Sequence, residues 1–250
     1  MKKNALRPEP RRDEVYIVTD SLEGNQSGPF ERNQIWVGDA RVTKSGDLPE
    51  GITINFHDRS IGNEVRLASG NSWRALSIDL GAAIDCNIDI GAIKVNFGGL
   101  RISFVSNAGR CSNGVRVSVG DGCTFNGATH IIGPLTPGLG VKVGKDCLFA
   151  SGISIRGSSH HGLWDLESGA LLNAERGIDI GDHVWIGDQA VILNKAVVAS
   201  GSVVGARSVV NKAFCEPNAL IVGSPASEKR RGIAWTSTFP EDNGATRRSD

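Results

Sequence analysis

Two adjacent histidines, His160 and His161, are the residues of this sequence best suited to proton transfer. An imidazole has an unperturbed pKa of about 6.5, so it can accept and return a proton near neutral pH. Both histidines lie in a polar stretch that continues into the segment HVWIG, which contains His183 and Trp185. This stretch is therefore the first candidate for a catalytic site.

A six-residue repeat surrounds the polar stretch. From Ile180 onward an aliphatic residue returns at every sixth position, namely Ile180, Ile186, Ile192, Val198, Val204 and Val210. Because six is an even number, these anchors face the same side of successive strands. Glycine follows several anchors (Gly181, Gly187, Gly205), which suits a corner that needs an unusual backbone angle. The pattern predicts an all-β fold, a parallel β-helix of hexapeptide coils with the anchors inside.

The repeat breaks where the histidines lie. Ile155 and Ile180 are 180 − 155 = 25 positions apart, one more than a multiple of six. The chain must leave the β-helix between them, so we predict an excursion loop at 156–177, and loops on rigid scaffolds often carry catalytic groups. By strand alternation Trp185 points outward, where a subunit interface or a ligand would cover it. His183 also points outward, at the surface or in an interface.

The rest of the chain divides by composition. Residues 1–14 are charged and contain proline, which predicts a disordered arm. Residues 15–59 alternate apolar and polar, which predicts irregular strands that cap the β-helix. The β-helix domain is predicted at 60–235, with a closing turn and a short C-terminal helix in 212–235. A flexible tail is predicted at 236–250.

Composition excludes several classes of protein. The chain has 250 residues and zero net charge, which fits one domain and gives no sign of nucleic-acid binding. No apolar run reaches the roughly 18 residues that span a membrane, and the N-terminus does not have the pattern of a signal peptide. Five cysteines without paired spacing predict free thiols, with Cys123 and Cys147 buried, in a reducing, cytoplasmic setting.

The run IDIGDHVWIGDQAVILNKAVV, followed by GSVVGARSVVNK and NALIVGSPA, resembles the hexapeptide-repeat acyltransferases. The resemblance covers about residues 60–235. It implies a left-handed β-helix, a homotrimer, and acetyl-CoA bound in a cleft between neighbouring subunits.

A narrower resemblance lies in the loop, where SSHHGLWDLESGALLN is similar to bacterial polysaccharide O-acetyltransferases, including the sialic-acid capsule enzymes. Aligning the segment DLESG places that family's catalytic histidine on His161 and its HVWIG tryptophan on Trp185. The sequence departs from the pattern at Ser159, which replaces an acidic residue, and at His160, an extra imidazole that is the alternative base. Asp165 either orients the catalytic imidazole or caps a turn.

Coenzyme A has a slender pantetheine arm and a phosphate-rich nucleotide end. Small residues suit the arm, and cations suit the phosphates. The candidates are Gly187, Gly205 and Ala206 with Trp185 for the arm, and Lys212, Lys229, Arg230 and Arg231 for the phosphates. The alternative for the KRR run is a solvated charge cluster. A zinc enzyme on this kind of coil needs three converging imidazoles, and His130 with the His160–His161 pair supplies no clear third ligand, so no metal is expected.

The resulting hypothesis is an acetyl-CoA-dependent O-acetyltransferase with a histidine general base. Its acceptor would be a sugar hydroxyl of a bacterial surface glycan, of the capsule, lipopolysaccharide or sialic-acid type, with direct transfer from the thioester. Two alternatives stay open. One is acetylation of a small acceptor such as a nucleotide sugar, an amino sugar, serine or an antibiotic, and the other is a non-catalytic structural solenoid.

Overall fold

The computed structural model describes residues 33–43, 45–57, 59–72, 74–104, 106 and 110–238. The arm predicted at 1–14 and most of the tail predicted at 236–250 lie outside these residues.

The regular secondary structure of the described chain consists of short strands, with one turn of 3-10 helix at Ser45–Asp47. The strands are β1 Gln34–Val37, β2 Ala40–Arg41, β3 Ile52–Asn55, β4 Glu64–Leu67, β5 Leu76–Asp79, β6 Asn87–Ile90, β7 Lys94–Val95, β8 Leu100–Ser103, β9 Arg116–Val119, β10 Thr124–Phe125, β11 Thr129–Ile132, β12 Gly140–Val143, β13 Leu148–Phe149, β14 Ile153–Arg156, β15 Ile178–Ile180, β16 Trp185–Ile186, β17 Val191–Leu193, β18 Val197–Val198, β19 Val203–Val204, β20 Val209–Val210, β21 Ala213–Phe214, β22 Ala219–Gly223 and β23 Ala226–Arg231.

These strands form three sheets. Sheet I has the order β2-β1-β4-β6-β9-β12-β15-β18-β21, sheet II the order β23-β22-β19-β16-β13-β10-β7, and sheet III the order β20-β17-β14-β11-β8-β5-β3. From β6 to β22 the chain visits sheets I, II and III in turn, and each of these strands pairs in parallel with the strand one coil away. The predicted parallel β-helix is confirmed, and its three sheets make three sides joined by three corners.

The hexad anchors fill the interior. Ile180, Ile186 and Ile192 are fully buried, one from each sheet of a single coil. Upstream, the rings of Phe125 and Phe149 stack with centroids 4.5 Å apart. Registered strands bring equivalent anchors of successive coils into contact, and this continuous stacking is how a solenoid buries its apolar surface. Cys123 and Cys147 are buried free thiols, as predicted.

The glycines after the anchors have a different role from the expected one. The left-handed backbone at the corners falls two residues later, on His183 (φ 53°), Gln189 (φ 57°) and Arg207 (φ 58°). Gly187 is needed because a Cβ there would lie 2.7 Å from the backbone nitrogen of Ala206 in the next coil. The position is therefore restricted by close packing between coils.

The short helix predicted in 212–235 is wrong. The chain forms β21 and then the antiparallel pair β22–β23, which ends sheet II. The parallel edge of β19 pairs with β22, and the free edge of β22 then accepts β23. An unpaired sheet edge offers a row of backbone hydrogen bonds, and this tertiary context outweighs the helix propensity of the SEKRR segment.

The predicted excursion loop is present. Strand β14 ends at Arg156 and β15 begins at Ile178, so the loop leaves the β-helix at the corner between sheets III and I.

At the N-terminal end, β1 and β3 already pair in parallel with β4 and β5, within the segment expected to be irregular. No helix in the described part of the chain is long and apolar enough to cross a membrane.

Candidate active site

The excursion loop is fixed to the coil before it by Glu175. Its Oε2 atom accepts hydrogen bonds from the backbone N–H groups of Leu135 (2.9 Å) and Thr136 (2.7 Å). Those two residues form the turn at the same corner, between β11 and β12. A carboxylate that accepts two backbone N–H groups makes charge-assisted bonds, which are stronger than neutral ones. The end of the loop is therefore held firmly.

Asn194, at the same corner one coil later, holds the loop from the other side. Its Oδ1 accepts the backbone N–H of Arg176 at 2.7 Å, and its Nδ2 donates to the carbonyl of Ala174 at 3.1 Å. The chain then re-enters the β-helix through Gly177, which has φ +79° and whose Cβ would lie 2.9 Å from the carbonyl oxygen of Gly140. The loop is clamped between two coils.

Asn173 organises the interior of the loop. Its Nδ2 donates to the carbonyl of His161 at 2.7 Å and to Ser159 Oγ at 2.8 Å, and its Oδ1 accepts the N–H of Leu163 at 2.8 Å. This one side chain fixes the backbone on both sides of His161. Sequence reasoning did not single it out, although it is the last residue of the loop motif SSHHGLWDLESGALLN.

The His161 side chain is exposed. Among the described residues, no group hydrogen-bonds its imidazole, and its contacts run through its backbone carbonyl. The loop therefore presents this ring to solvent on a backbone that is well fixed.

His160 has a different environment. It has a positive φ of 64°, and its backbone N–H donates to Ser158 Oγ at 3.0 Å. Partial burial lowers the pKa of its imidazole, and the charges of Arg156 and His161 lower it further, against the opposing effect of Glu175. His160 is thus the more enclosed of the two histidines.

The described contacts of Asp165 are those of a turn cap. Its Oδ1 accepts the backbone N–H and the Oγ–H of Ser168, both at 2.7 Å. These bonds hold the pKa of the carboxyl below its usual value. Of the two interpretations of Asp165, the geometry favours the turn cap over the orientation of an imidazole.

Trp185 lies on β16 in sheet II and is 39% exposed. Trp235, which sequence reasoning missed, lies beside it, with ring centroids 6.1 Å apart. The Trp235 ring also stacks on the His183 ring at 4.1 Å. His183 and Trp235 are 52 positions apart in the sequence, so no local pattern could have paired them.

The predicted site residues fall on different sides of the β-helix. His161 and Lys212 share the corner between sheets III and I, whereas Trp185 and Arg230 lie on sheet II, the side opposite that corner. Gly187, Gly205 and Ala206 lie together at the corner between sheets II and III, and Lys229 lies on β23 of sheet II. One chain therefore does not bring His161 and Trp185 together.

A basic groove of about 770 Å³ runs along sheet I beside the base of the loop. Its floor includes Gly138, Gly140 and Gly177, and Asp179 is the one acidic residue among its lining residues. The cations that line it are Arg116, Lys142, Arg176, Lys195 and Lys212. The position of Lys212 in this groove suits it to an anionic ligand.

The outer part of the loop exposes a set of large apolar side chains. These are Leu163, Trp164, Leu166, Leu171 and Leu172, of which Leu166 is 100% exposed. Large exposed apolar side chains grouped on one loop are typical of a surface that contacts another macromolecule. Among the described residues, no group of three or more His, Cys, Asp or Glu is placed to hold a metal ion.

The anchor at Glu175 gives a first prediction. Glu175→Ala leaves the N–H groups of Leu135 and Thr136 without their acceptor, so we expect the free energy of unfolding to fall by about 1–3 kcal/mol. Urea denaturation measures this change. Glu167→Ala is the matched control, because the Glu167 side chain is exposed and has no hydrogen bond within the described structure. Equal unfolding midpoints for the two variants would contradict the anchoring role.

The free energy of unfolding should also depend on pH through two histidines, His130 and His160. Burial and nearby arginines lower the pKa of His130 and of His160 below the ordinary value of 6.5. The unfolded chain then binds more protons than the folded chain as the pH falls below about 6.5, so stability falls with pH in that window and levels off below the folded pKa values. We expect urea midpoints to drop between about pH 7.5 and pH 5.5, the range around the ordinary histidine pKa of about 6.5. The drop should be smaller in His130→Asn, and an unchanged drop would contradict this assignment.

Comparison with known proteins identifies the class of fold first. No family model matches the chain. Among solved structures, the polysialic acid O-acetyltransferase OatWY is 21% identical, with a TM-score of 0.54 over 85% of this chain and 93% of that one. The polySia specific acetyltransferase NeuO is 25% identical, with a TM-score of 0.50 over 84% of this chain and 88% of that one. The chain has the left-handed β-helix fold of the hexapeptide-repeat transferases, and the resemblance noted in its sequence is confirmed.

The particular similarity is to enzymes of polysialic acid. A polysialic acid O-acetyltransferase of Neisseria meningitidis is 39% identical over 46 residues. That match spans 18% of this chain and 21% of the relative.

Proposed function

We propose that the chain is an acetyl-CoA-dependent O-acetyltransferase that modifies a sugar hydroxyl of a sialic-acid-type surface glycan. The observation that carries this proposal is the presentation of the His161 ring on a loop clamped by Glu175, Asn194 and Asn173. The similarity to NeuO and to the Neisseria meningitidis enzyme supports the choice of acceptor.

The active unit in this proposal is a homotrimer. His161 and Trp185 lie on opposite sides of the β-helix, so a site that uses both residues needs two subunits. The corner that carries the loop of one subunit would face sheet II of its neighbour. The exposed apolar residues of the loop, such as Leu166, would be covered by this contact.

Such a cleft also gathers the cofactor candidates. Lys212 comes from the subunit that supplies His161, while Trp185, Lys229 and Arg230 come from the neighbour's sheet II. Small residues at the next corner, Gly187 among them, would lie beside the pantetheine arm. The cations would pair with the phosphates of the nucleotide end.

In the proposed mechanism the neutral imidazole of His161 accepts the proton of the acceptor hydroxyl. The hydroxyl oxygen attacks the carbonyl carbon of the thioester and forms the new ester bond. The carbon–sulfur bond then breaks, and His161 returns the proton to the leaving thiolate, which gives free CoA. A backbone N–H in the cleft would stabilise the oxyanion, and Trp185 would form the wall beside it.

The experiment is the release of free CoA from acetyl-CoA by the purified protein with a panel of acceptors. The panel contains polysialic acid, monomeric sialic acid, an amino sugar, serine and a buffer blank. We expect release above the blank with polysialic acid. Release with only a small acceptor would favour an acetyltransferase for small acceptors. No release with any acceptor would favour a non-catalytic solenoid.

A further inference from the structure

Three contacts with His183 hold Trp235 at the corner that leads into β16 of sheet II. Its indole Nε1 donates a hydrogen bond to the carbonyl of His183 at 2.9 Å. Its ring stacks on the His183 ring with an interplanar angle of 9°. The Nε2 atom of His183 lies 3.2 Å from the carbonyl oxygen of Trp235. The chain after β23 is thereby held against the corner that leads into β16.

The result is a pair of indoles next to one another at the surface. The Trp185 and Trp235 rings are inclined by 46°, and both keep area open to solvent. One side of the Trp235 ring is already occupied by His183. The mechanism assigns a position to Trp185 but gives no role to Trp235 or His183.

We propose that Trp235 is an acceptor-binding residue, and that with Trp185 it forms an aromatic wall for the apolar face of a sugar ring. This inference rests on the proposed function, because it takes the acceptor to be a saccharide. His183 is then a positioning residue, which acts by holding the Trp235 ring in place.

The geometry favours a sugar over the adenine of the cofactor. A nucleobase held between two aromatic rings needs those rings parallel, and an inclination of 46° leaves no parallel slot. A pyranose presents C–H groups on its face and needs only one exposed aromatic surface, with the second ring as a side wall. Tryptophan supplies such a surface with little loss of side-chain freedom.

A row of residues across sheet II separates Trp185 from Arg230, which is proposed to bind the cofactor. Trp185, Val203, Leu220 and Arg230 are in register across four adjacent strands of sheet II. Arg230 is therefore three strand spacings from Trp185, or about 14 Å. Arg230 can therefore pair with a cofactor phosphate while a sugar ring contacts the two indoles.

The test compares steady-state kinetics of Trp235→Ala with those of the wild-type protein, with polysialic acid as the acceptor probe. We expect the KM for polysialic acid to rise about 2- to 13-fold, since an aromatic contact contributes about 0.5–1.5 kcal/mol and each 1.36 kcal/mol is tenfold. The kcat and the KM for acetyl-CoA should stay within about twofold. Trp235→Phe keeps an aromatic face, so its KM for polysialic acid should rise less than that of Trp235→Ala.

The outcomes separate this inference from the proposed function. A wild-type protein that transfers acetyl to no saccharide overturns both. An active wild type with an unchanged KM for polysialic acid in Trp235→Ala, or with a raised KM for acetyl-CoA alone, overturns only the inference.

A second measurement covers the case in which Trp235→Ala does not fold. In wild-type protein labelled with fluorotryptophan, addition of polysialic acid should shift the fluorine NMR signals of Trp185 and Trp235, assigned through Trp185→Phe and Trp235→Phe. The signal of Trp36, which lies on β1 of sheet I, should not move. An unmoved Trp235 signal at saturating acceptor overturns the inference.

Discussion

Replacing His161 with alanine should lower turnover by about 10²–10⁴-fold, which is the usual cost of removing a general base. The variant should still assemble and bind CoA, because the His161 ring has no hydrogen bond to any described residue and its removal leaves the loop anchors intact. Turnover is measured as CoA release with polysialic acid. CoA binding is measured by calorimetry.

His160→Ala is the matched control, because it removes the adjacent imidazole and should lose far less activity. The opposite order, with His160→Ala inactive and His161→Ala active, would show that the alignment is wrong by one residue. Full activity in both variants would contradict a histidine base altogether.

We expect Trp185→Ala to lose most activity, as His161→Ala does, and mixing the two variants should restore activity if the site is shared between subunits. In a trimer formed from equal amounts of His161→Ala and Trp185→Ala, a shared site is intact when the first variant supplies Trp185 and the second supplies His161. With random assembly this holds at about one quarter of the sites, since each partner is chosen with a probability of about one half. We therefore expect about a quarter of wild-type CoA release after the variants are unfolded and refolded together.

The control is a mixture of the same variants without refolding, in which subunits do not exchange. Equal, background activity before and after co-refolding, with light scattering confirming trimers, would show that His161 and Trp185 do not act across one interface. A stable monomer in wild-type protein would remove the basis of the shared site.

The β-helix could be predicted from the sequence because the hexapeptide pattern that specifies it is local. A hexad places Ile180, Ile186 and Ile192 on the inside without reference to any distant residue. The loop is equally local in origin, since the spacing between Ile155 and Ile180 cannot be divided into hexads. Both predictions follow from strand alternation alone.

The parts that the sequence did not predict depend on distant backbone groups. Glu175 binds the N–H groups of Leu135 and Thr136, about 40 positions away. Every residue except proline has a backbone N–H, so the sequence does not indicate which of them a carboxylate will bind. Strand β23 forms because β22 offers an edge. The pairing of Trp235 with His183 can be found only once the path of the chain through the last coils is known.

Left-handedness belongs to a third category. The general preference for parallel crossovers is right-handed, so no rule of local geometry predicts the hand of this β-helix. It came from the resemblance of its repeats to known proteins, and the similarity of the fold to OatWY and NeuO confirms it.

The most direct test of the account is the fate of the acetyl group. Polysialic acid is incubated with acetyl-CoA and the protein, and both the saccharide and the protein are examined by mass spectrometry. The account predicts acetyl esters on the saccharide that accumulate with wild-type protein and not with His161→Ala, with no acetyl group on the protein. Free CoA without acetylated saccharide, or an acetyl group trapped on the protein, would contradict direct transfer to a sugar hydroxyl by a histidine base.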